Sequence, residues 1–213
     1  MVSLLLRGDI LLFALTTVAL IVSLTFHEYA HAAVAKLSGD RTAELAGRLT
    51  LNPLAHIDPM GLLMVVLVGF GYARPVPVDP RYLRSPRADL WIAAAGPAMN
   101  LLLAAVVWNG SLALHGAGVA FVFMPGPETF VVVLVHINLI LMLFNLIPLG
   151  PLDGHWILPH LLPEAAARWY RYYNARYGQY ALFGLILLTI LGVPVFQILM
   201  TIGARLVRLI TFV

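Results

Sequence analysis

Cysteine is absent from the 213 residues, which excludes disulfides and thiolate metal sites and leaves no redox chemistry from which to read a compartment. Charge is scarce as well: 11% of residues are charged, 61% are hydrophobic, and mean hydropathy is +0.91. A soluble domain carries about 25% charged and roughly 45–50% apolar residues, so an ordinary soluble fold is excluded and a polytopic membrane protein is indicated. The net charge of +3 comes from arginines flanking apolar runs. That is a topology signal and not a nucleic-acid footprint, so no nucleic-acid partner is expected. Internal repeats and low-complexity tracts are also missing.

What the chain does have is long apolar segments. Segment A covers about residues 9–37, segment B roughly 89–114, and segment C about 128–147. Each is long enough to cross a hydrocarbon core of ~30 Å at ~1.5 Å per helical residue. Segment A is too long for the core of a signal peptide and runs into a His–Glu cluster, so it is expected to remain as structure. The apolar run Gly61–Tyr72 is short for a span and reads as re-entrant or interfacial. Leu45, Gly47, Leu49 and Leu51 alternate with Glu44, Arg48 and Thr50, the pattern of a short half-buried strand. A second strand is expected over Ala73–Val78, at an edge because Pro75 and Pro77 lack N–H groups. Residues 160–178 carry Arg168, Arg171 and Arg176 among Trp169, Tyr170, Tyr172, Tyr173 and Tyr177, an interfacial belt. Beyond residue 179, Gly192-Val193-Pro194 interrupts the apolar run and allows one kinked helix or a two-helix hairpin.

The expected fold is therefore an all-α polytopic membrane protein with a small membrane-associated β-hairpin or sheet. Three transmembrane helices form its core, joined by re-entrant and C-terminal helices. It reads as a single integral-membrane domain, 1–213, with a catalytic core over about 9–158 and C-terminal helices over about 160–213. Basic residues crowd connections 36–59, 73–89 and 160–178, whereas 115–127 has no lysine or arginine. The positive-inside rule puts the first three in the cytoplasm and the last outside. The C-terminal ends of A and C then share the cytoplasmic side.

The end of segment A reads Thr25-Phe26-His27-Glu28-Tyr29-Ala30-His31. Histidines four apart leave the same helix face about one turn apart and suit a single metal ion, with Glu28 beside them as a general base. Such groups are costly in hydrocarbon, so an intramembrane cluster indicates function. A catalytic zinc needs three protein ligands and an open position. Asp153 is the best third candidate, displayed by the break Pro148-Leu149-Gly150-Pro151-Leu152-Asp153-Gly154 at the end of segment C. Irregular backbone at that depth is tolerated only when buried in protein or lining a cavity. His155 and His160 are rivals. Asn145, one turn before the break, suits either a substrate carbonyl or an interhelical bond. His136 and Asn138 read as interhelical glue, Asn100 after Gly96-Pro97 as a mark of close packing, and His56 as a loop or cavity-wall residue. On residues alone, a metalloprotease competes with a zinc-binding carrier or sensor using the same ligands, and with an inactive scaffold. Glu28 discriminates, since a pure metal site has no need of it.

Three blocks in this order resemble the site-2 protease family of intramembrane zinc metalloproteases: His27-Glu28-Tyr29-Ala30-His31; Leu51-Asn52-Pro53 through Asp58-Pro59-Met60-Gly61; and Phe144-Asn145-Leu146-Ile147-Pro148 with Pro151-Leu152-Asp153-Gly154. The resemblance, to the compact bacterial and archaeal members without a PDZ module, implies one zinc ion per chain on His27, His31 and Asp153. It further implies Glu28 as base and Asn145 assisting. Transmembrane protein substrates would be cleaved in or near their spanning helices, in the bilayer of a bacterial or archaeal cell membrane, with the site towards the cytoplasm. Homo-oligomerisation is left open. Backbone pairing of an unwound substrate is expected at Leu45–Leu51.

Overall fold

In a computed structural model, residues 1–68 and 71–213 are described. The helices among them are α1 (Val2–Leu6), α2 (Ile10–Leu37), α3 (Thr42–Leu45), α4 (Pro59–Val68), α5 (Ala88–Gly116), α6 (Pro125–Asn145), α7 (Gly154–Ile157), α8 (Glu164–Ile190) and α9 (Val195–Leu209). Three of them, α2, α5 and α6, are each long and apolar enough to cross a membrane. They correspond to segments A, B and C and pack against one another. Their mutual core is lined with small and polar side chains, with Ala19, Ser23, Asn100, Ala104 and Asn138 fully buried. Small residues let helices approach closely where lipid offers no hydrophobic drive for association.

Helix α2 ends in a Schellman motif: Gly39 N–H donates to the Lys36 carbonyl and Asp40 N–H to the Ala35 carbonyl. Gly39 has φ +108°, and a Cβ there would lie 2.8 Å from the Tyr82 carbonyl, so both conformation and space demand glycine. Asp40 then fastens the loop. Its Oδ1 accepts from Thr42 N–H and Oγ1–H, and its Oδ2 from Asp79 N–H at 2.7 Å. Burial by itself would raise the Asp40 carboxyl, but these bonds hold it below its ordinary value.

No β-strand occurs among the described residues, so the expected hairpin or sheet is not formed. One isolated bridge, Ile57 to Ala73, is what remains of it. The alternation at 44–51 does not mark a buried apolar face. Leu45 and Leu51 are exposed, whereas Arg48 is 9% exposed. The segment instead closes α3 with a second Schellman motif at Gly47 (φ +71°), a turn that breaks any ladder. Residues 73–78 are held by a side chain: Arg48 Nη1 donates to the Pro75 carbonyl and Nη2 to the Arg74 carbonyl.

The run Gly61–Tyr72 contributes the ten-residue helix α4, too short to span at ~1.5 Å per residue. Residues 69 and 70 of that run lie outside the described residues. Arg74 N–H donates to the His56 carbonyl at 2.8 Å, which brings the excursion back to where it left. The C-terminal part is a bent helix pair: α8 and α9 meet at 90°. The break falls where Gly192 takes φ +102° and Pro194 removes an N–H. Helix α9 packs on α6, with Ile210 in a core of Ala104, Val135, Leu139 and Met142. Asn109 holds its end, donating to the Ile210 carbonyl and accepting from Phe212 N–H.

Candidate metal centre

His27 and His31 leave one face of α2 with rings at 82° and their Nε2 atoms 3.0 Å apart. Asp153, at the start of α7, brings Oδ2 to 3.2 Å from His27 Nε2 and Oδ1 to 3.4 Å from His31 Nε2. One ligand atom from each residue lies within 4.8 Å of the others. The ends of α2 and α6 therefore meet on one side, as the arginine distribution requires. His155 and His160 stand apart: His155 Nδ1–H donates to the Leu152 carbonyl, and His160 pairs with Asp89 at 3.1 Å.

Two glycines make the convergence feasible. A Cβ on Gly96 would overlap both imidazoles, so α5 crosses α2 at the only kind of residue that leaves room for them. A Cβ on Gly154 would meet the Leu146 and Ile147 carbonyls, so the chain after Asp153 folds tightly over the end of α6.

The hydrogen bonds behind the histidines decide which nitrogen faces the site. The Leu134 carbonyl can only accept, so the Asn138 atom 2.8 Å from it is Nδ2. Asn138 Oδ1 then accepts from Asn100 Nδ2 at 2.8 Å, which leaves Asn100 Oδ1 to accept from His27 Nδ1–H at 2.6 Å. Ser23 completes the set: its hydroxyl accepts from Asn138 and donates to the Ala19 carbonyl. His31 Nδ1–H donates to the Ile92 carbonyl at 2.6 Å. In its neutral form each ring thus carries its lone pair on Nε2 and turns it towards the other and towards a carboxylate. Three facing electron-pair donors without a proton between them repel. Asp153 Oδ2 is moreover buried with no hydrogen-bond partner. A cation resolves both, and two imidazoles with one carboxylate form a donor set that zinc accepts, with a fourth position open.

Glu28 is 8% exposed and lines the cavity beside these three residues. Arg48 Nη2 lies 3.8 Å from its Oε2, so one guanidinium touches the glutamate and the carbonyls of the 73–78 strap. Burial lowers the Arg48 guanidinium from its ordinary value, and the neighbouring Glu28 opposes the shift. The cavity measures about 1220 Å³. Leu20, Leu24, Ile137 and Ile140 line one side, and the strap with Arg84 and Asp89 the other.

Asn145 also lines this cavity, with its Nδ2 donating one hydrogen to the Leu141 carbonyl. His136 bonds back to its own helix at the Val132 carbonyl, and His56, itself buried, donates to the Thr50 carbonyl, so neither joins the candidate metal group. Asn138 does bridge helices as expected. Sequence reasoning missed that Asn100 holds His27, and missed the roles of Ser23 and Arg48. A signal existed for Asn100: it lies four residues after Gly96, on the helix face that must meet the histidines.

A model of peptidase family M50 matches residues 15–124 and 120–191. The chain is 45% identical over 149 residues to "Putative zinc metalloprotease YwhC" of Bacillus subtilis (strain 168), covering 68% of each chain. It is 33% identical over 165 residues to "Putative zinc metalloprotease Rip2" of Mycolicibacterium smegmatis, covering 71% of this chain and 59% of that one. No solved structure matches the chain significantly.

Proposed function

The chain belongs to peptidase family M50, a family of zinc metalloproteases, and from that premise we propose that it hydrolyses peptide bonds in or beside the membrane-spanning helices of protein substrates. The observation that carries the reading is the triangle of His27 Nε2, His31 Nε2 and Asp153 beside Glu28, at one end of three candidate spans. His27, His31 and Asp153 would hold one zinc ion, which supplies Lewis acidity towards water and the scissile carbonyl. Glu28 takes a proton from the attacking water and delivers it to the leaving amine. Asn145 assists at the carbonyl with the second hydrogen of its Nδ2, the first being donated to the Leu141 carbonyl.

The cavity exceeds the roughly 300–1,000 Å³ of small-molecule pockets. Its apolar side faces α2 and α6, which suits an unwound segment drawn from a membrane helix. Arginines at 41, 48, 74, 81, 84 and 87 at this end support a cytoplasmic position for the site. Cleavage of a panel of transmembrane peptides by purified protein, with zinc content measured alongside, tests the reading. Glu28→Gln is expected to abolish cleavage and leave zinc bound. Cleavage by E28Q at the wild-type rate would refute the assigned base, and a wild-type protein that binds zinc yet cleaves nothing would favour a carrier or sensor.

A further inference from the structure

We infer that helix α8 sets the position of the third metal ligand, with Asn174 and Tyr170 as positioning residues for Asp153. The inference rests on Asp153 being a ligand, as proposed above. Between α6 and α7 the loop that displays Asp153 has no helical ladder to hold it, and Pro148 and Pro151 contribute no N–H. Two of its backbone groups are claimed from outside. Gly150 N–H donates to Asn174 Oδ1 at 3.1 Å, and the Pro148 carbonyl accepts from the Tyr170 hydroxyl at 2.8 Å.

Tyr170, Asn174 and Gly178 succeed one another at four-residue spacing, so they form one stripe of α8. Glycines shape this contact from both sides. A Cβ on Gly178 would overlap the Asn174 amide and come within 3.1 Å of Gly150 N, and a Cβ on Gly150 would lie 3.0 Å from Asn174 Nδ2. Tyr172, Tyr177 and Tyr180 of α8 are exposed, whereas Tyr170 and Asn174 are bonded to this loop. Gly154 pins the other end of the loop against the Leu146 and Ile147 carbonyls. Asp153 is thus suspended between two fixed points, and one of them belongs to α8. Moving Asn174 moves the carboxylate relative to two histidines that α2 and α5 hold independently.

Zinc affinity of the full chain in detergent, by chelator competition, tests this, together with the visible spectrum of the cobalt-loaded protein and thermal unfolding of the metal-free protein. Asn174→Ala is expected to weaken zinc about tenfold, the low end for residues behind a ligand, and to alter the cobalt spectrum. G178A, which forces the amide off Gly150, should do the same, and Y170F should act in the same direction more weakly. N174D keeps an oxygen opposite Gly150 N–H and should restore most of the loss. D153A is the reference. If N174A and G178A bind zinc as tightly as wild type while D153A has lost affinity, α8 does not position the ligand. Destabilised metal-free protein with unchanged affinity overturns the inference equally. If D153A itself binds zinc like wild type, the ligand assignment fails, and the latch with it.

Discussion

Replacing Asn100 by alanine separates the metal site from the fold that carries it. The amide has three partners: the Ser23 carbonyl, to which it donates at 3.3 Å, and two with no substitute, His27 Nδ1–H, which donates to it, and Asn138 Oδ1, which accepts from it. N100A leaves both unpaired at a fully buried position. In a water-soluble core, each orphaned group would cost about 1–3 kcal/mol. Between membrane helices, measured couplings average only about 0.6 kcal/mol, because the separated helices also find partners. Two lost bonds then cost the bundle about 1 kcal/mol. The metal has no such relief, because without an acceptor at Nδ1 the His27 ring loses both its orientation and its tautomer preference. Residues in this role are worth about 10–100-fold in metal affinity, roughly 1.4–2.7 kcal/mol. Zinc affinity should therefore fall by more than the stability of the metal-free protein does. Chelator competition and thermal unfolding in the same detergent compare the two directly. Asn100→Asp is the informative partner variant. It still accepts from His27 but opposes an oxygen to Asn138 Oδ1, so it should keep zinc better than N100A while destabilising the bundle more. An N100A protein that folds and binds zinc at wild-type affinity would refute the hydrogen-bond chain from Leu134 to His27.

Gly96→Ala should abolish zinc binding and cleavage, because its Cβ overlaps both ligand rings. Helix propensity alone favours alanine by about 1 kcal/mol, so intact activity in G96A would show that α5 does not cross there. Arg48→Ala should lower cleavage at least about tenfold with zinc retained, since the Arg74 and Pro75 carbonyls lose a charged donor worth about 1.5–3 kcal/mol each and the strap leaves Glu28. Loss of zinc in R48A at unchanged folding would contradict that separation. Asp40, depressed in the folded chain, contributes stability that is present above its unfolded value near ~4 and is lost as pH falls through the lower folded value. D40N should be less stable at pH 7 by about 1–3 kcal/mol and show a flatter acid response in thermal unfolding. An acid response identical to wild type would remove Asp40 from that role.

How much of this was legible depends on what each residue type can hide in a membrane protein. The spans were readable because ~20 consecutive apolar residues have few other uses, and α2, α5 and α6 lie where hydropathy put segments A, B and C. The convergence of His27, His31 and Asp153 was readable because titratable groups in or against such segments are expensive enough to require a purpose. The strands were misread because period-two alternation carries meaning only when the apolar residues face inward. Here Leu45 and Leu51 face out, and Arg48 faces in. The sense of the pattern depends on the solvent, and beside a bilayer the solvent is not water. The same inversion hid Ser23 and the partner of Asn100, whereas Asn138 was legible as a bridge between helices. In a soluble chain these amides and hydroxyls would be expected at a surface, whereas in this one all three are fully buried behind His27. The polar residue is the scarce one in a chain with 61% hydrophobic content, so each buried polar side chain in a span marks a partner. Asn100 needed only that question, since the face it shares with Gly96 has the ligand histidines opposite it. The partnership of α8 with the Asp153 loop had no comparable signal. Tyr170 and Asn174 sit in a polar, aromatic stretch where neither is scarce, and the contact exists only because the three-dimensional path of α8 returns past residues 148–150.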